Sequence, residues 1–134
     1  MLGELIGEEN GEATGVRVLS AEGGHAVLET SFRGSGTLLG VSVNDIGTYH
    51  SANRDDGTLF GEGEGVTMTE DGDTLTWHGS GVGRFTPTGG VSWRGAVFYE
   101  TTADRFLQLN GIAAVFEFET DPGGKIETKI YEWK

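Results

Sequence analysis

Hydrophobic and polar residues alternate along most of the chain, in short runs that end at turn-forming residues. Alternation with a period of two is typical of β-strands, so the pattern predicts strands almost throughout. The turn segments combine glycine with Asn, Asp, Glu or Pro; they are Asn10-Gly11, 22–24, 55–57, 70–73, 87–90 and 121–124. Between them the pattern predicts strands at 2–9, 12–20, 25–33, 36–53, 58–69, 74–85, 91–101, 110–120 and 125–133.

These strands follow one another through short connections, which is typical of an antiparallel up-and-down meander. The predicted strand 36–53 is long and is expected to bend or break near Asp45. One helical turn is predicted at 102–107, with Thr102 as its cap. Because closure removes exposed sheet edges, we expect an all-β fold, a closed barrel of about eight strands formed by residues 1–134 as one domain. The interior of such a barrel holds packed side chains or one small ligand.

Two rows of glycines at alternate positions need an explanation, because glycine weakens a strand. The rows are Gly61, Gly63, Gly65 and Gly79, Gly81, Gly83. If the hairpin loops between residues 53 and 91 each contain three residues and end in glycine, the register sets large aromatic rings opposite these glycines. The predicted pairs are Tyr49 with Gly63, Trp77 with Gly65, and Trp93 with Gly83. Each ring would then cover a bare stretch of the neighbouring strand.

The same register separates apolar from polar residues. The predicted core face carries Tyr49, Leu59, Leu75, Trp77, Phe85, Val91, Trp93, Val97 and Tyr99. The predicted outer face carries His50, Glu62, Glu64, His78, Ser80, Arg84, Arg94 and Glu100. The core aromatics either fill the barrel or leave a ligand pocket lined by Tyr49, Trp77, Trp93 and Tyr99. In the second case Arg84 or Arg94 would meet a ligand carboxylate at the rim; the alternative for both arginines is a surface ion-pair network.

No catalytic motif is evident. His50 is predicted opposite Glu62, and His78 opposite Glu64, a cross-strand group suited to a zinc ion or to acid–base chemistry, for which His50 and Glu62 are the candidates. The competing interpretation is a solvated polar face with weak cross-strand pairs. The histidines lack the spacing of a metal motif, and no serine lies in a nucleophile elbow. We therefore expect no metal and no cofactor.

The charge excludes several partners. The chain of 134 residues has 21 Asp and Glu against 9 Lys and Arg, a net charge of −12. Such a surface repels nucleic acid and anionic membranes, so neither is an expected partner. With no cysteine there are no disulfides or thiolate sites. The N-terminal residues do not resemble a signal peptide, and we expect a cytoplasmic protein. The acidity reflects either a high-salt cytoplasm or an ordinary acidic bacterial protein.

Several segments together resemble a family of small, uncharacterised prokaryotic proteins with an allene-oxide-cyclase-like β-barrel. They are 3–8, 61–66, 81–85, 109–111, 116–117 and 131–133. The resemblance implies an eight-stranded barrel with an apolar cavity and frequent oligomers. The plant cyclase isomerises an oxylipin epoxide in such a cavity. Its catalytic residues do not match positions in this sequence, so the activity is not carried over.

Three functional hypotheses remain open. The first is a barrel that binds a small apolar or amphipathic molecule, with or without a carboxylate, and catalyses nothing. The second is an isomerase or cyclase that acts on a small apolar substrate in the cavity and uses His50 or Glu62. The third is an interaction protein with a filled barrel, forming a homo-oligomer, a dimer or trimer, through apolar residues of the polar face. Those residues are Val66, Met68, Val82 and Phe98.

Overall fold

A computed structural model describes residues 2–134 and contains eight strands. They are β1 (Leu2–Ser20), β2 (Val27–Leu38), β3 (Val41–Asn53), β4 (Leu59–Met68), β5 (Thr74–Phe85), β6 (Val91–Thr101), β7 (Ala114–Thr120) and β8 (Lys125–Trp133). A 3-10 turn at Glu22–Gly24 joins β1 to β2, and a 3-10 helix at Asp104–Gly111 joins β6 to β7. Neither of these helices, the ones found in residues 2–134, is long and apolar enough to cross a membrane.

Each strand pairs with the next in antiparallel fashion, and β8 pairs with β1, so the sheet is a closed barrel. The predicted class, a closed up-and-down barrel of about eight strands, is confirmed. Closure occurs along the first half of β1, from Leu2 opposite Trp133 to Glu12 opposite Lys125. Beyond Glu12, β1 pairs with β2 alone, so this end of the β1–β2 hairpin extends past the ring of strands.

The predicted turn at Asn10-Gly11 is wrong. Both residues lie inside β1, where Asn10 pairs with Ser35 and Gly11 with Gly34. A Cβ on Gly11 would come 2.8 Å from the Cα of Gly34. Gly11 is therefore explained by the close approach of two strands rather than by a turn, and segments 2–9 and 12–20 form one strand.

The predicted long strand 36–53 is divided by a turn that its composition does not reveal. The turn is Leu39-Gly40, and both residues have positive φ, +49° and +77°. Leu38 pairs with Val41 directly across it, which makes a two-residue hairpin. A leucine at such a position is unusual, and for that reason the pattern did not mark the turn. Asp45, the expected break, lies in the regular middle of β3.

The glycine-ended loops form as predicted. In the first, Arg54 N–H donates to Thr58 O (2.9 Å) and Gly57 N–H to Arg54 O (3.0 Å), which encloses three loop residues. The loops at 69–73, 86–90 and 121–125 have the same hydrogen bonds. Their final glycines have φ between +85° and +97°, a conformation that glycine adopts without strain. These odd loops set the predicted register, including Tyr49 opposite Gly63, Trp77 opposite Gly65, and Trp93 opposite Gly83.

One end of the barrel is plugged by the 3-10 helix. Phe106 and Leu109 are fully buried there, packed with Leu38, Leu75 and Ala114 from the strand ends. The helix begins at Asp104 and ends at Gly111, so the predicted helical turn at 102–107 is placed too early at both ends. Thr102 does not cap it; instead Asn110 Oδ1 accepts a hydrogen bond from Thr101 N–H, and Asn110 Nδ2 donates to Thr101 O, both at 2.9 Å. The side chain of Asn110 therefore fixes the helix against the end of β6.

Candidate functional site

Aromatic rings cover the glycine rows inside the barrel. A Cβ on Gly61 or Gly83 would approach the ring of Trp93 to 2.7 and 3.0 Å. A Cβ on Gly65 would likewise collide with the ring of Trp77. The glycines therefore provide space for rings from neighbouring strands, as the register predicts.

Five rings form one cluster in the interior. Tyr49 contacts Trp93 and Phe118 edge-on, with centroids 6.0 and 5.7 Å apart. Phe32 contacts Phe118 (5.4 Å), Tyr49 (6.1 Å) and Trp77 (6.2 Å). By strand position, Tyr49, Trp93 and Phe118 lie towards the end opposite the 3-10 helix, whereas Trp77 lies near the start of β5 and packs against the buried residues at the helix end.

A cavity of about 100 Å³ lies beside this cluster. The four predicted pocket residues, Tyr49, Trp77, Trp93 and Tyr99, all line it. The glycine segments 61–63 and 79–81 contribute to its wall, together with Val97 and Ile130. The sequence thus predicts which residues meet in the interior. Ligand binding by these residues stays a prediction.

The two arginines proposed for the rim do not reach the cavity. Arg84 and Arg94 are exposed on the outer face, because their positions alternate with the inward glycines and Trp93. Arg94 Nη1 donates to Glu119 Oε1 at 2.9 Å, and its Nε lies 4.0 Å from Glu117 Oε2. Arg94 is therefore part of a surface ion pair, the alternative raised for it. The prediction that Phe85 belongs to the core is also wrong, because Phe85 is 59% exposed at the end of β5.

The catalytic candidates His50 and Glu62 also lie on the outer face. They pair across β3 and β4 as predicted, but both are exposed. His50 Nε2 lies 3.3 Å from Glu29 Oε2 at the surface, and His78 packs against the ring of Phe98 at 5.9 Å. In residues 2–134 no three His, Asp or Glu side chains converge as metal ligands would. The exposed side chains of His50 and Glu62 do not favour proton transfer inside the cavity, but Glu62 is among the residues that line it, so a catalytic role for either stays a prediction.

Two carboxyl groups that the sequence analysis missed do line the cavity. Glu9 of β1 and Asp45 of β3 are 7% and 6% exposed. Trp77 Nε1–H donates a hydrogen bond to Asp45 Oδ1 at 2.8 Å, and Glu9 donates a second hydrogen bond to Asp45. The site is therefore an acid pair at the base of an aromatic cavity, with one indole bound to it.

The strand between the two acids has no side chain to separate them. β2 lies between β1 and β3, and there Gly36 pairs with Glu9 while Gly34 pairs with Asp45. A Cβ on Gly34 would lie 3.1 Å from Glu9 Oε1. The carboxyl of Glu9 therefore lies over the bare backbone of β2, and this allows it to reach Asp45.

Burial makes it difficult for both acids to ionise. Desolvation, reinforced by the nearby charge of Asp45, raises the pKa of Glu9 to about 9. Desolvation also raises the pKa of Asp45, although hydrogen bonds from Trp77, Glu9 and Thr67 oppose that shift. Two acids that share a low-dielectric site do not both ionise easily. At neutral pH the pair holds a proton on Glu9, which is the donor in its hydrogen bond to Asp45.

Two hydroxyl groups beside the pair complete the polar part of the site. Tyr99 is 7% exposed and lines the cavity, and burial together with the charges of Asp45 and Glu9 raises its pKa well above the usual value. Thr67 pairs with Asp45 across β3 and β4. Its Oγ1 is buried without a hydrogen bond of good geometry. The sequence predicts Tyr99 as an aromatic residue of the pocket wall, but it does not predict that Tyr99 lies beside two acids.

A signal for Glu9 was present in the sequence. Gly7, Glu9 and Gly11 alternate on one face of β1, like the glycine rows whose inward orientation was predicted. The predicted turn at Asn10-Gly11 hid this pattern. For Asp45 no local signal distinguishes a buried acid from a polar residue at a bend.

Comparisons with known proteins bear on the fold alone. No family model matches the chain, and a search of curated proteins found no match. Among solved structures, a protein of unknown function from Clostridium acetobutylicum ATCC 824 superposes with a TM-score of 0.84 at 12% identity, over 98% of both chains. A conserved protein of unknown function from Rhodopseudomonas palustris gives 0.81 at 13% identity, over 98% of this chain and 97% of that one. A β-barrel-like protein from Acinetobacter baumannii AYE gives 0.79 at 14% identity, over 100% and 96%.

These neighbours agree with the predicted barrel and with a likeness to uncharacterised proteins. None of the three is described as a cyclase, so the allene-oxide-cyclase resemblance stays a prediction. The predicted homo-oligomer also stays a prediction. Of the apolar residues proposed for its interface, Phe98 is 43% exposed, and Val66, Met68 and Val82 are half-buried.

Proposed function

We propose that the barrel binds one small, mainly apolar molecule in its interior. The observation that supports this is a cavity of about 100 Å³ whose wall includes seven aromatic side chains and bare glycine backbone. Protein interiors are normally packed with few voids larger than a water molecule, and rows of glycine weaken strands. A glycine-walled aromatic space at the centre of the barrel is therefore better explained by an occupant than by packing.

The volume limits the ligand. An engineered apolar cavity of about 150 Å³ binds benzene, so a cavity of about 100 Å³ suits a body of roughly four to six carbon atoms. A ligand carboxylate is not favoured, because Arg84 and Arg94 face outward while Glu9 and Asp45 face the cavity. A neutral or cationic polar group fits these surroundings better.

The test is direct titration with small apolar molecules and a filled-cavity variant. We would add 1-butanol, cyclopentane or benzene to ¹⁵N-labelled protein and follow the indole N–H resonances of Trp77 and Trp93. Saturable shifts are expected in the wild type. Val97→Leu, which extends into the cavity, should weaken binding at least fivefold. Val82→Leu makes the same change on the outer face and should leave it unaffected. Absence of saturable shifts with all three compounds would refute the proposal.

A second candidate is isomerisation by proton transfer, and the observation that favours it is the adjacent pair of buried carboxyls, Glu9 and Asp45, in the cavity wall. Donation of a proton by one acid and acceptance of a proton by the other would rearrange a substrate with no net change in atoms. The residues differ from the predicted His50 and Glu62. Conversion of a co-purified ligand by the wild type, but not by Glu9→Gln, would support this function. Equal conversion by both proteins would refute it.

A further inference from the structure

The charged side chains that line the cavity favour one kind of polar group on a ligand. The wall contains Glu9 and Asp45, and in the described part of the chain, residues 2–134, no lysine, arginine or histidine lines the cavity. Asp45 accepts from Trp77 and from Glu9, both neutral donors. The negative charge of the pair is thus hydrogen-bonded but is not balanced by a positive group.

A third oxygen lies next to the acids and has no partner of its own. Tyr99 is more than nine-tenths buried and lines the cavity close to Asp45 and Glu9, whose ionised forms would raise its pKa. In the described residues 2–134 its hydroxyl makes no hydrogen bond, although it is not fully buried, since Thr67 Oγ1 is the one fully buried side-chain polar atom there without a partner. A hydroxyl that lines the cavity without a protein partner can both donate and accept a hydrogen bond, so it is available to a polar atom of a ligand.

The remaining wall favours positive charge as well. The faces of Phe32, Tyr49, Trp77, Trp93 and Phe118 carry the negative side of the aromatic quadrupole, which attracts cations within about 6 Å of a ring centroid. An ammonium group has three N–H donors and no acceptor. Glu9, Asp45 and Tyr99 supply an acceptor oxygen for each of these donors, and Asp45 supplies the counter-charge.

We propose that the cavity recognises a primary ammonium group on a small apolar body, with the ammonium at Glu9, Asp45 and Tyr99 and the body among the aromatic rings. The proposal rests on the proposed function and adds the chemical class of the ligand. The net charge of −12 would also attract a cation from a distance.

The test compares three probes that share a four-carbon chain: n-butylamine, 1-butanol and butanoate. With wild-type protein at pH 7, followed by the Trp77 and Trp93 indole resonances, n-butylamine should bind at least tenfold more tightly than 1-butanol. Butanoate should bind more weakly than either. This comparison needs no variant, so a folding defect cannot obscure it.

Variants then locate the charge. Asp45→Asn keeps an acceptor for Trp77 but removes the counter-charge, and it should abolish the preference for the amine while 1-butanol still binds. Asp55→Asn makes the same change at an exposed turn, where its side chain is 93% exposed, and should preserve the preference.

Each outcome decides the proposal. Equal or tighter binding of 1-butanol or butanoate in the wild type would overturn the ammonium proposal and leave ligand binding intact. An unchanged amine preference in folded Asp45→Asn would overturn it too. If none of the three probes bound, and neither benzene nor cyclopentane bound, the proposed function itself would fail, and this inference with it.

Discussion

Trp77 and Asp45, 32 residues apart in the chain, are joined by a 2.8 Å hydrogen bond from the indole Nε1–H to the carboxyl Oδ1. The bond connects the aromatic cluster to the acid pair, since the same indole ring contacts Phe32 and covers Gly65. The bond also offsets part of the free-energy cost of burying the Asp45 carboxylate, because a hydrogen bond to the ionised form lowers the pKa of Asp45.

Replacing this indole should cost more than replacing another indole in the same cluster. Trp77→Phe removes a donor to a buried acid, and hydrogen bonds to charged groups contribute about 2 kcal/mol. Trp93→Phe is the matched change at a ring that is 5% exposed and covers Gly61 and Gly83. Urea denaturation should therefore show a free energy of unfolding about 2 kcal/mol lower for Trp77→Phe than for Trp93→Phe. Equal losses would mean that the bond contributes little.

The acid pair should make stability fall as pH rises. The pKa of Glu9 is raised to about 9 in the folded protein, against 4.5 for the free group. The folded state therefore keeps a proton that the unfolded chain loses near 4.5. This contribution is complete below that pH and declines, by about 1.4 kcal/mol per pH unit at most, until about pH 9. The raised pKa of Asp45 acts in the same direction.

Glu9→Gln, which cannot ionise, isolates this effect. Its free energy of unfolding relative to the wild type should increase steadily between about pH 5 and 9. Glu8→Gln, on the exposed side of the same strand, is the control and should show no such trend. Denaturant titrations at four pH values would measure both. A pH-independent difference between wild type and Glu9→Gln would show that Glu9 does not hold its proton.

The glycine rows make a third prediction. A Cβ at Gly63 would lie 2.8 Å from the Cβ of Tyr49 and 2.9 Å from the O of Thr48, atoms that cannot move without shifting β3. Gly63→Ala should therefore destabilise the protein by roughly 1–3 kcal/mol. Gly15→Ala has nothing within 4 Å of the new methyl group and should be nearly neutral. Thermal melts of the two variants would show whether the loss of stability comes from close packing at Gly63 or follows any replacement of a strand glycine by alanine.

The 3-10 helix should act as a plug that stabilises one end of the barrel. Leu109 is fully buried against the strand ends, whereas Leu107 of the same helix is 46% exposed. Leu109→Ala should cost about 2–5 kcal/mol and Leu107→Ala less than about 1 kcal/mol. Calorimetry of both variants would check this. Similar melting temperatures would mean that the helix does not contribute to the core.

Local patterns determined most of the architecture in advance. Alternation marks a strand because side chains point to opposite faces with a period of two. A glycine-ended loop sets the pairing register because only a residue that tolerates positive φ closes it in three residues. These two signals predicted the order and register of the strands from β3 to β6 and the convergence of Tyr49, Trp77, Trp93 and Tyr99.

The site itself depended on tertiary structure. Glu9 and Asp45 lie on strands that do not pair, and they meet only because the closed sheet curves them toward each other across the bare glycines of β2. The alternation of residues along the chain cannot reveal such a contact, because the contact requires a closed barrel and bare glycines on β2, the strand between the two acids. The sequence alone determined that the aromatic rings Tyr49, Trp77, Trp93 and Tyr99 face inward. The fold decided that two acids face inward with them and lie buried together, where the pair retains a proton.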